Sequence, residues 1–452
     1  MQPRVSIKQG MEMLATHSGL LCVGALLESM SMKERLDNLP DVYCVDPDFS
    51  HSDILYSMIG LMSIGKPSYD AVETFRDRQD FFVKALNISN CPSSPTIRQR
   101  IDLIGPNAND VIKEESASLV RAKAPAVTPI ETSAGSFVPL DIDVSPFDNS
   151  KTKKEGVSRT YKGCDGYAPI FAYLGTEGYL TNLELREGRQ HCQRNTPEFI
   201  KKTLDYARRI TDQPILMRLD SGNDSKDNFV SADRKDVHFI IKRNLRRESP
   251  EAWADLAKKT AKERVCRPGK SEWVGRTRVS IKGEPLPFPI VFKVSERYIK
   301  KGQLLLLPEI EVESWWVSLD ALSAEEVISL YHDHGTSEQF HSEIKTDMDL
   351  ERLPSGRFES NDLILHLGLL TYNLIRIIGQ KSLEFDKTHL PGPRLRKVKR
   401  RRIRTVMMDL IYMAGRLIHT GRRWFVSFGR LNPFADLLTR TYNDLRGSPV
   451  SP

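Results

Sequence analysis

Four carboxylates in this chain sit where types and spacing suit phosphoryl chemistry. "LDIDVSPFDN" carries Asp141 and Asp143 at alternate positions of a strand-like run, so both side chains face one side. "MRLDSGND" places Asp220 at the C-terminal end of a second strand-like run, beside a glycine turn. "YHDHGTSEQFHSEIK" places Glu338 on a polar helix with three histidines and Lys345. Two or three carboxylates converging on one face suit Mg²⁺ or Mn²⁺, which prefer oxygen ligands. Paired ions of this kind clamp the attacking and leaving oxygens in displacement at phosphorus. A phosphodiester is already anionic, so its cleavage needs charge neutralisation more than a strong protein nucleophile. Spacing alone is a weak signal, because the chain carries 59 acidic residues. Glu338 and His341 also form an E-x-x-H pair. A di-iron bundle would want a second such pair, none is evident, and His341 is expected on a solvated helix face.

Short runs of alternating pattern must position these acids. From about residue 135, "FVPLDIDVS", "YAPIFAYLG" and "GYLTNLELREG" read as strands punctuated by Gly163, Gly166, Gly175 and Gly178. "TPEFIKKTLDYARRIT" then reads as a helix, with Thr196 as cap, Pro197 at the first position and an apolar stripe of Phe199, Leu204 and Ala207. "PILMRLDSG" returns to strand. The order strand-strand-strand-helix-strand fits a mixed sheet of the ribonuclease H type. Residues 233 to about 320 read as an inserted, mainly β segment, and "SAEE" as a capping box from Ser323 to Glu326 that opens the helix leading to Glu338. Trp273, Trp315 and Trp316 lie in or beside this insertion and are expected mostly as sheet core.

The flanks read differently. Residues 1 to about 130 are mostly helical, and "SYDAVETFRDRQDFFVKALNISNCPSSPTIRQRIDLIG" reads as helix, polar break, helix. Ser94-Pro95 is a helix-start signal, and Thr96, Arg98, Gln99 and Arg100 would form the outer face of a helix-turn-helix, the bland alternative being a plain helical hairpin. After a linker, "KTHLPGPR", the stretch "RLRKVKRRRIR" at 394–404 holds eight basic residues in eleven, including Arg400, Arg401 and Arg402. With Arg422-Arg423-Trp424 on an expected later helix, it favours a phosphate-binding patch.

Composition narrows the class. The 452 residues are 40% hydrophobic and 28% charged with net charge +7, ordinary for a globular protein of several domains. No apolar run of about 18 residues or more predicts a membrane span, and the N-terminus lacks a signal-peptide core. Six scattered cysteines without a C-x-x-C pair argue against a disulfide framework or structural zinc and fit a reducing cytosol.

With these residues in view, "Y-x2-H-x3-E-x6-K" (Tyr331, His334, Glu338, Lys345) resembles the signature Y-x2-R-x3-E-x6-K of DDE insertion-sequence transposases of the broad IS4-like group. "MDLERLPSGRFESNDLILHLGLLTYNLI" is similar to the IS1380 family in particular. "LDIDVS" and "MRLDSG" resemble its two aspartate motifs, and "PSSPTIRQRID" and the basic C-terminus its end segments. The resemblance spans nearly the whole chain in motif order.

It implies a catalytic and metal-binding triad of Asp143, Asp220 and Glu338, with Asp141 as a neighbour behind it. Tyr331, His334 and Lys345 would contact DNA, Lys345 lying two helical turns beyond Glu338 on the same face. Arg98, Arg100, Arg400, Arg401 and Arg402 are the further DNA-binding candidates. His334 stands where the family has arginine, and histidine lacks arginine's fixed charge and bidentate fork.

The expected architecture is α/β: a helical DNA-binding region at 1–130, a ribonuclease H-like core at 131–232 and 321–385, a mainly β insertion at 233–320, and a basic helical C-terminal region at 386–452. The implied function is transposition. The chain would bind the inverted repeats of its element, cleave and transfer strands by cut-and-paste through a hairpin, and use Mg²⁺ or Mn²⁺, as two ions. It would act as a homodimer on double-stranded DNA of element ends and target, in a prokaryotic cytoplasm with no membrane partner. The competing readings are a ribonuclease H-like nuclease without strand transfer and a transposase-derived DNA-binding protein that has lost catalysis.

Overall fold

The computed structural model describes residues 5–40, 48–76, 79–280, 287–301, 303–385 and 398–447. The linker "KTHLPGPR" and the start of the basic run, up to residue 397, lie outside these. Along the chain come helices α1 Leu20–Glu28, α2 His51–Ser63, α3 Gln79–Leu86, α4 Ser94–Ile104 and α5 Asn109–Lys123. Next are strands β1 Gly135–Val144, β2 Ile170–Leu174 and β3 Tyr179–Glu184, helix α6 Thr196–Ile210, strands β4 Ile215–Leu219 and β5 Val237–Arg243, and helix α7 Pro250–Thr260. Strands β6 Glu263–Arg267, β7 Lys270–Val279, β8 Phe288–Lys300 and β9 Gln303–Val317 precede helices α8 Ala324–His332 and α9 Ser337–Ser342. Helix α10 Phe358–Phe385, strands β10 Gly415–Thr420 and β11 Arg423–Phe428, and helix α11 Ala435–Leu445 complete it. The chain divides into two units, Ala126–Ser342 and the two flanks Met1–Pro125 with Glu343–Pro452.

The Ala126–Ser342 unit is built on one ten-stranded sheet, whose main path is β6-β7-β8-β9-β5-β4-β1-β2-β3. β1 pairs parallel with β4, and β4 parallel with β5, while β2 and β3 join antiparallel. This is the mixed α/β arrangement expected, with α6 as the crossover between β3 and β4. The turn Gly175–Gly178 between β2 and β3 uses left-handed backbone at both glycines (φ +76° and +72°), which only glycine adopts without strain. β5, placed within the insertion by sequence, is a strand of this central sheet. The later strands are no separate layer: β9 pairs antiparallel with β5 and extends the same sheet. Trp315 is wholly buried, with Leu216, Ile240, Val291 and Val327 in its cluster. Trp316 and Trp273 are buried as well, so all three serve as sheet core.

The flanking unit is helical around α10, which packs on α1, α2, α5 and α11. By length and composition α10 could cross a membrane, but 94% of its apolar window is buried within the protein. Its polar residues are paired there: Asn373 donates to Ser116 at 2.9 Å, and Arg376 bonds Glu343.

Three local expectations are corrected. The cap of α4 is Ser93, whose hydroxyl accepts from the Thr96 N–H at 3.3 Å, while the Ser94 hydroxyl donates to Asp70 at 2.6 Å. Ser323 caps α8, accepting from Glu326 N–H at 3.1 Å, but the Glu326 carboxylate turns to Ser133, so the box is half closed. Residues 415–428 form a β-hairpin instead of a helix, because Gly421 (φ +60°) closes a tight turn between β-prone runs.

Candidate active site

Asp141 and Asp143 share a face of β1 and meet different fates. Parallel pairing sets Asp141 beside Arg218 of β4. Arg218 donates Nε to Oδ1 at 2.6 Å and Nη2 to Oδ2 at 2.7 Å, and Nη1 to the Leu330 carbonyl at 2.7 Å. His334 Nδ1 lies 3.0 Å from the same Oδ1. Burial alone would raise the Asp141 carboxyl, but the Arg218 and His334 charges outweigh it and hold it below the usual carboxylate range. Burial likewise pushes His334 down, and Asp141 more than reverses this, so its imidazole is held above the usual range. Both Asp141 oxygens are thus occupied, which suits a neighbour behind the site and not a metal ligand.

Asp143 lies two residues nearer the end of β1. Its side chain is 22% exposed, with Oδ1 accepting from the Val144 N–H at 2.7 Å and Oδ2 3.3 Å from His341 Nε2. Burial opposes its ionisation, yet bonding to His341 brings it below the usual carboxylate range. Asp220 follows directly on β4, held by Asn223 Nδ2 at 2.8 Å from Oδ1. Its carboxyl is raised, by burial first and by the negative charge of Asp143 second. Two aspartates on adjacent parallel strands therefore repel each other in a partly desolvated place.

The α8–α9 segment covers these strand ends. Tyr331 is half-buried against Trp315 and His334. Burial first, and then Asp220 and Asp143, push its hydroxyl up. His341 is buried, with Nδ1 3.0 Å from the Tyr173 hydroxyl and its ring against Phe171. This overturns the solvated placement expected for His341: one turn beyond Glu338, the helix face has rotated onto the sheet. Glu338 is the exposed one, and among the described residues its carboxylate makes no hydrogen bond or ion pair.

Sequence reasoning missed Arg218 and Tyr161 in this environment and misplaced His341. Arg218 stands two residues before Asp220, the same alternation that relates Asp141 to Asp143, and that parity was the available signal. His341 had the E-x-x-H spacing. Tyr161, whose hydroxyl donates to the Val144 carbonyl at 3.2 Å and is raised by burial and by both aspartates, carried no signal.

The chemistry of the donor set fits a hard divalent cation in part. The Asp143–Asp220 pair supplies oxygen donors whose mutual repulsion a cation would relieve. Among the described residues, however, no three His, Cys, Asp or Glu side chains gather as a ligand set, and Glu338 is not drawn in.

The DNA-contact candidates fare unevenly. Arg98 is exposed, over the Tyr69 ring. Arg100 is buried, so it is withdrawn as a surface contact. Arg400 pairs with Glu343 at 3.0 Å, Arg401 with Asp409 at 3.6 Å and Arg402 with Asp347 at 2.8 Å. These three serve internal charge balance. Lys345 lies on a π-helical turn, Glu343–Asp347. With five residues per hydrogen-bonded step there, the two-turn spacing from Glu338 does not hold.

The family model described as "Transposase DDE domain group 1" matches residues 1–450. A comparison with curated proteins gives no match. A solved structure, the cryo-EM piggyBac transposase synaptic complex with hairpin DNA, is similar at 12% identity and a TM-score of 0.41, over 87% of this chain and 79% of that one. With its family model spanning the sequence from end to end, the chain belongs to the group 1 DDE transposases, enzymes of DNA transposition.

Proposed function

We propose that Asp143, Asp220 and Glu338 form the catalytic triad of an insertion-sequence transposase of the IS1380 type. The core would be ribonuclease H-like, and the strand order β3-β2-β1-β4-β5 with α6 as crossover supports that reading. The observation that supports the aspartate pair is the parallel pairing of β1 with β4, which sets Asp143 and Asp220 at neighbouring strand ends with their charges coupled; Glu338 enters on the motif resemblance. Asp143 and Asp220 would hold one or two Mg²⁺ or Mn²⁺ ions, and Glu338 would join them on binding ions and DNA. The ions would supply charge neutralisation at the scissile phosphate.

The chain's own residues then have distinct tasks. His341 orients the Asp143 carboxylate, so that its remaining lone pairs point to the site. Arg218 and His334 fix Asp141 and, through the Leu330 carbonyl, the end of α8. Tyr331, beside the aspartates, contacts the DNA backbone near the cut, and Lys345 and Arg98 contact DNA from the flanking unit. The substrate is double-stranded DNA at the element's inverted repeats. Cleavage by water leaves a 3′-hydroxyl that attacks the opposite strand, forming a hairpin and releasing the flanking strand's 3′-hydroxyl; water reopens the hairpin, and the restored 3′-hydroxyl attacks the target, in a homodimer joining two ends.

The test is cleavage of labelled element ends with Mg²⁺ by the wild type, Asp220→Ala and Glu338→Ala. Loss of cutting in both variants is expected. Undiminished cutting by either sinks the triad, and cutting without strand joining by the wild type favours a nuclease.

A further inference from the structure

We infer that the outward face of the β10–β11 hairpin is a duplex-DNA contact surface, a basic wing beside the α3–α4 helix pair. The inference rests on the reading of this chain as a DNA-acting transposase and adds where the flanking unit meets DNA.

Cross-strand register sorts the hairpin into two faces. Leu417 opposes Val426 and His419 opposes Trp424 on one, and Arg416 opposes Ser427, Ile418 opposes Phe425 and Thr420 opposes Arg423 on the other. The first face is anchored. Leu417 lines a cavity with His17, Phe75 and Phe82, and its N–H donates to the Met13 carbonyl at 2.8 Å. Trp424 stacks on His419 at 4.4 Å, and Lys84 of α3 sits 4.7 Å above its ring. The hairpin is therefore fixed against α3, the helix that precedes α4.

The second face presents Arg416, Thr420, Arg423 and Phe425 to solvent, with Arg422 at the turn and Arg430 just beyond. Residues 415–430 contain no Asp or Glu. Among the described residues, none of these four guanidinium groups has a hydrogen-bond or ion-pair partner. This is the reverse of the Arg400–Arg402 run, whose charges are consumed internally. Unneutralised arginines along one hairpin face make a local positive potential that phosphates would offset. β11 is also the free edge of its three-stranded sheet, in which Leu14–Ala15 pairs only with the base of β10; the rest of the hairpin is a two-stranded ribbon, one of the shapes a major groove admits. The half-exposed Phe425, amid the arginines, offers an apolar contact to sugars or base edges.

The experiment is fluorescence anisotropy of the full chain on a mixed-sequence linear duplex across a salt series. It compares the wild type with Arg416→Gln/Arg422→Gln/Arg423→Gln, with Phe425→Ala, and with the ion-paired control Arg440→Gln. The triple variant should lose roughly 2 to 3 units of the log K against log salt slope, because each lost phosphate contact removes about 0.9. Phe425→Ala should weaken binding with the slope kept, and Arg440→Gln should match the wild type. Circular dichroism melts confirm that the surface variants remain folded. An unchanged slope and affinity in the triple variant, with the wild type binding, overturns the wing and leaves the transposase reading standing. A triple variant that alters only self-association also overturns it, in favour of a second copy as occupant. Failure of the wild type to bind any duplex overturns the DNA-acting reading and this inference together.

Discussion

Arg218 and Asp141 face each other across the parallel pair β4–β1, joined by two hydrogen bonds of 2.6 and 2.7 Å. Both side chains are about 95% buried. The pair engages both oxygens of one aspartate of the strand and leaves the other, Asp143, partly exposed beside Asp220. It also ties the strands to α8 through the Leu330 carbonyl.

Removing one partner of that pair leaves a buried charge uncompensated. Arg218→Ala should destabilise the chain by about 3–5 kcal/mol. Asp141→Leu/Arg218→Met, which removes both charges, should lose far less. Urea midpoints of the two variants decide it, and equal losses would show that burial of charge is not the cause.

His334 makes stability depend on pH. Its folded pKa is raised above the unfolded value by Asp141. Its contribution is therefore complete below about pH 6.5 and declines as pH rises through the raised value. The stability gap between wild type and His334→Gln should narrow steadily from about pH 6 upward. Thermal melts over that range test this, and a gap that widens with pH refutes the assignment.

Asp220 carries the opposite kind of burden. Its folded pKa is raised, so its charge costs stability at neutral pH, and that cost disappears as pH falls through the raised value. Asp220→Asn should stabilise the metal-free chain at neutral pH. The gain should vanish in acid. Mg²⁺ should raise the melting temperature of the wild type and leave Asp220→Asn unmoved. A Mg²⁺ response of equal size in the variant would remove Asp220 from the ligand set.

The turn at Gly178 seats the helix of Glu338. A Cβ there would fall 2.2–2.5 Å from three ring carbons of Phe340, and the backbone is left-handed. Gly178→Ala should destabilise by about 1–3 kcal/mol. Phe340→Leu should recover part of that loss by clearing the ring edge. A double-mutant cycle with no coupling would contradict the packing described.

The sequence by itself determined the strands around Asp143 and Asp220, the helix of Glu338 and the motif order, since these rest on local periodicity and residue type. Alternation in "LDIDVS" put two aspartates on one face but could not rank them by geometry. Only the register of β1 against β4 gave Asp141 to Arg218 and left Asp143 to His341. The solvated face expected for His341 failed because helix rotation depends on packing against Tyr173 and Phe171, far away in sequence. The charge run at Arg400–Arg402 looked free because its partners, Glu343, Asp347 and Asp409, are brought to it by folding. The hairpin at 415–428 was read as helix because a short apolar run is ambiguous until its strands pair. In each case the deciding interaction is long-range, and composition and spacing do not encode it locally.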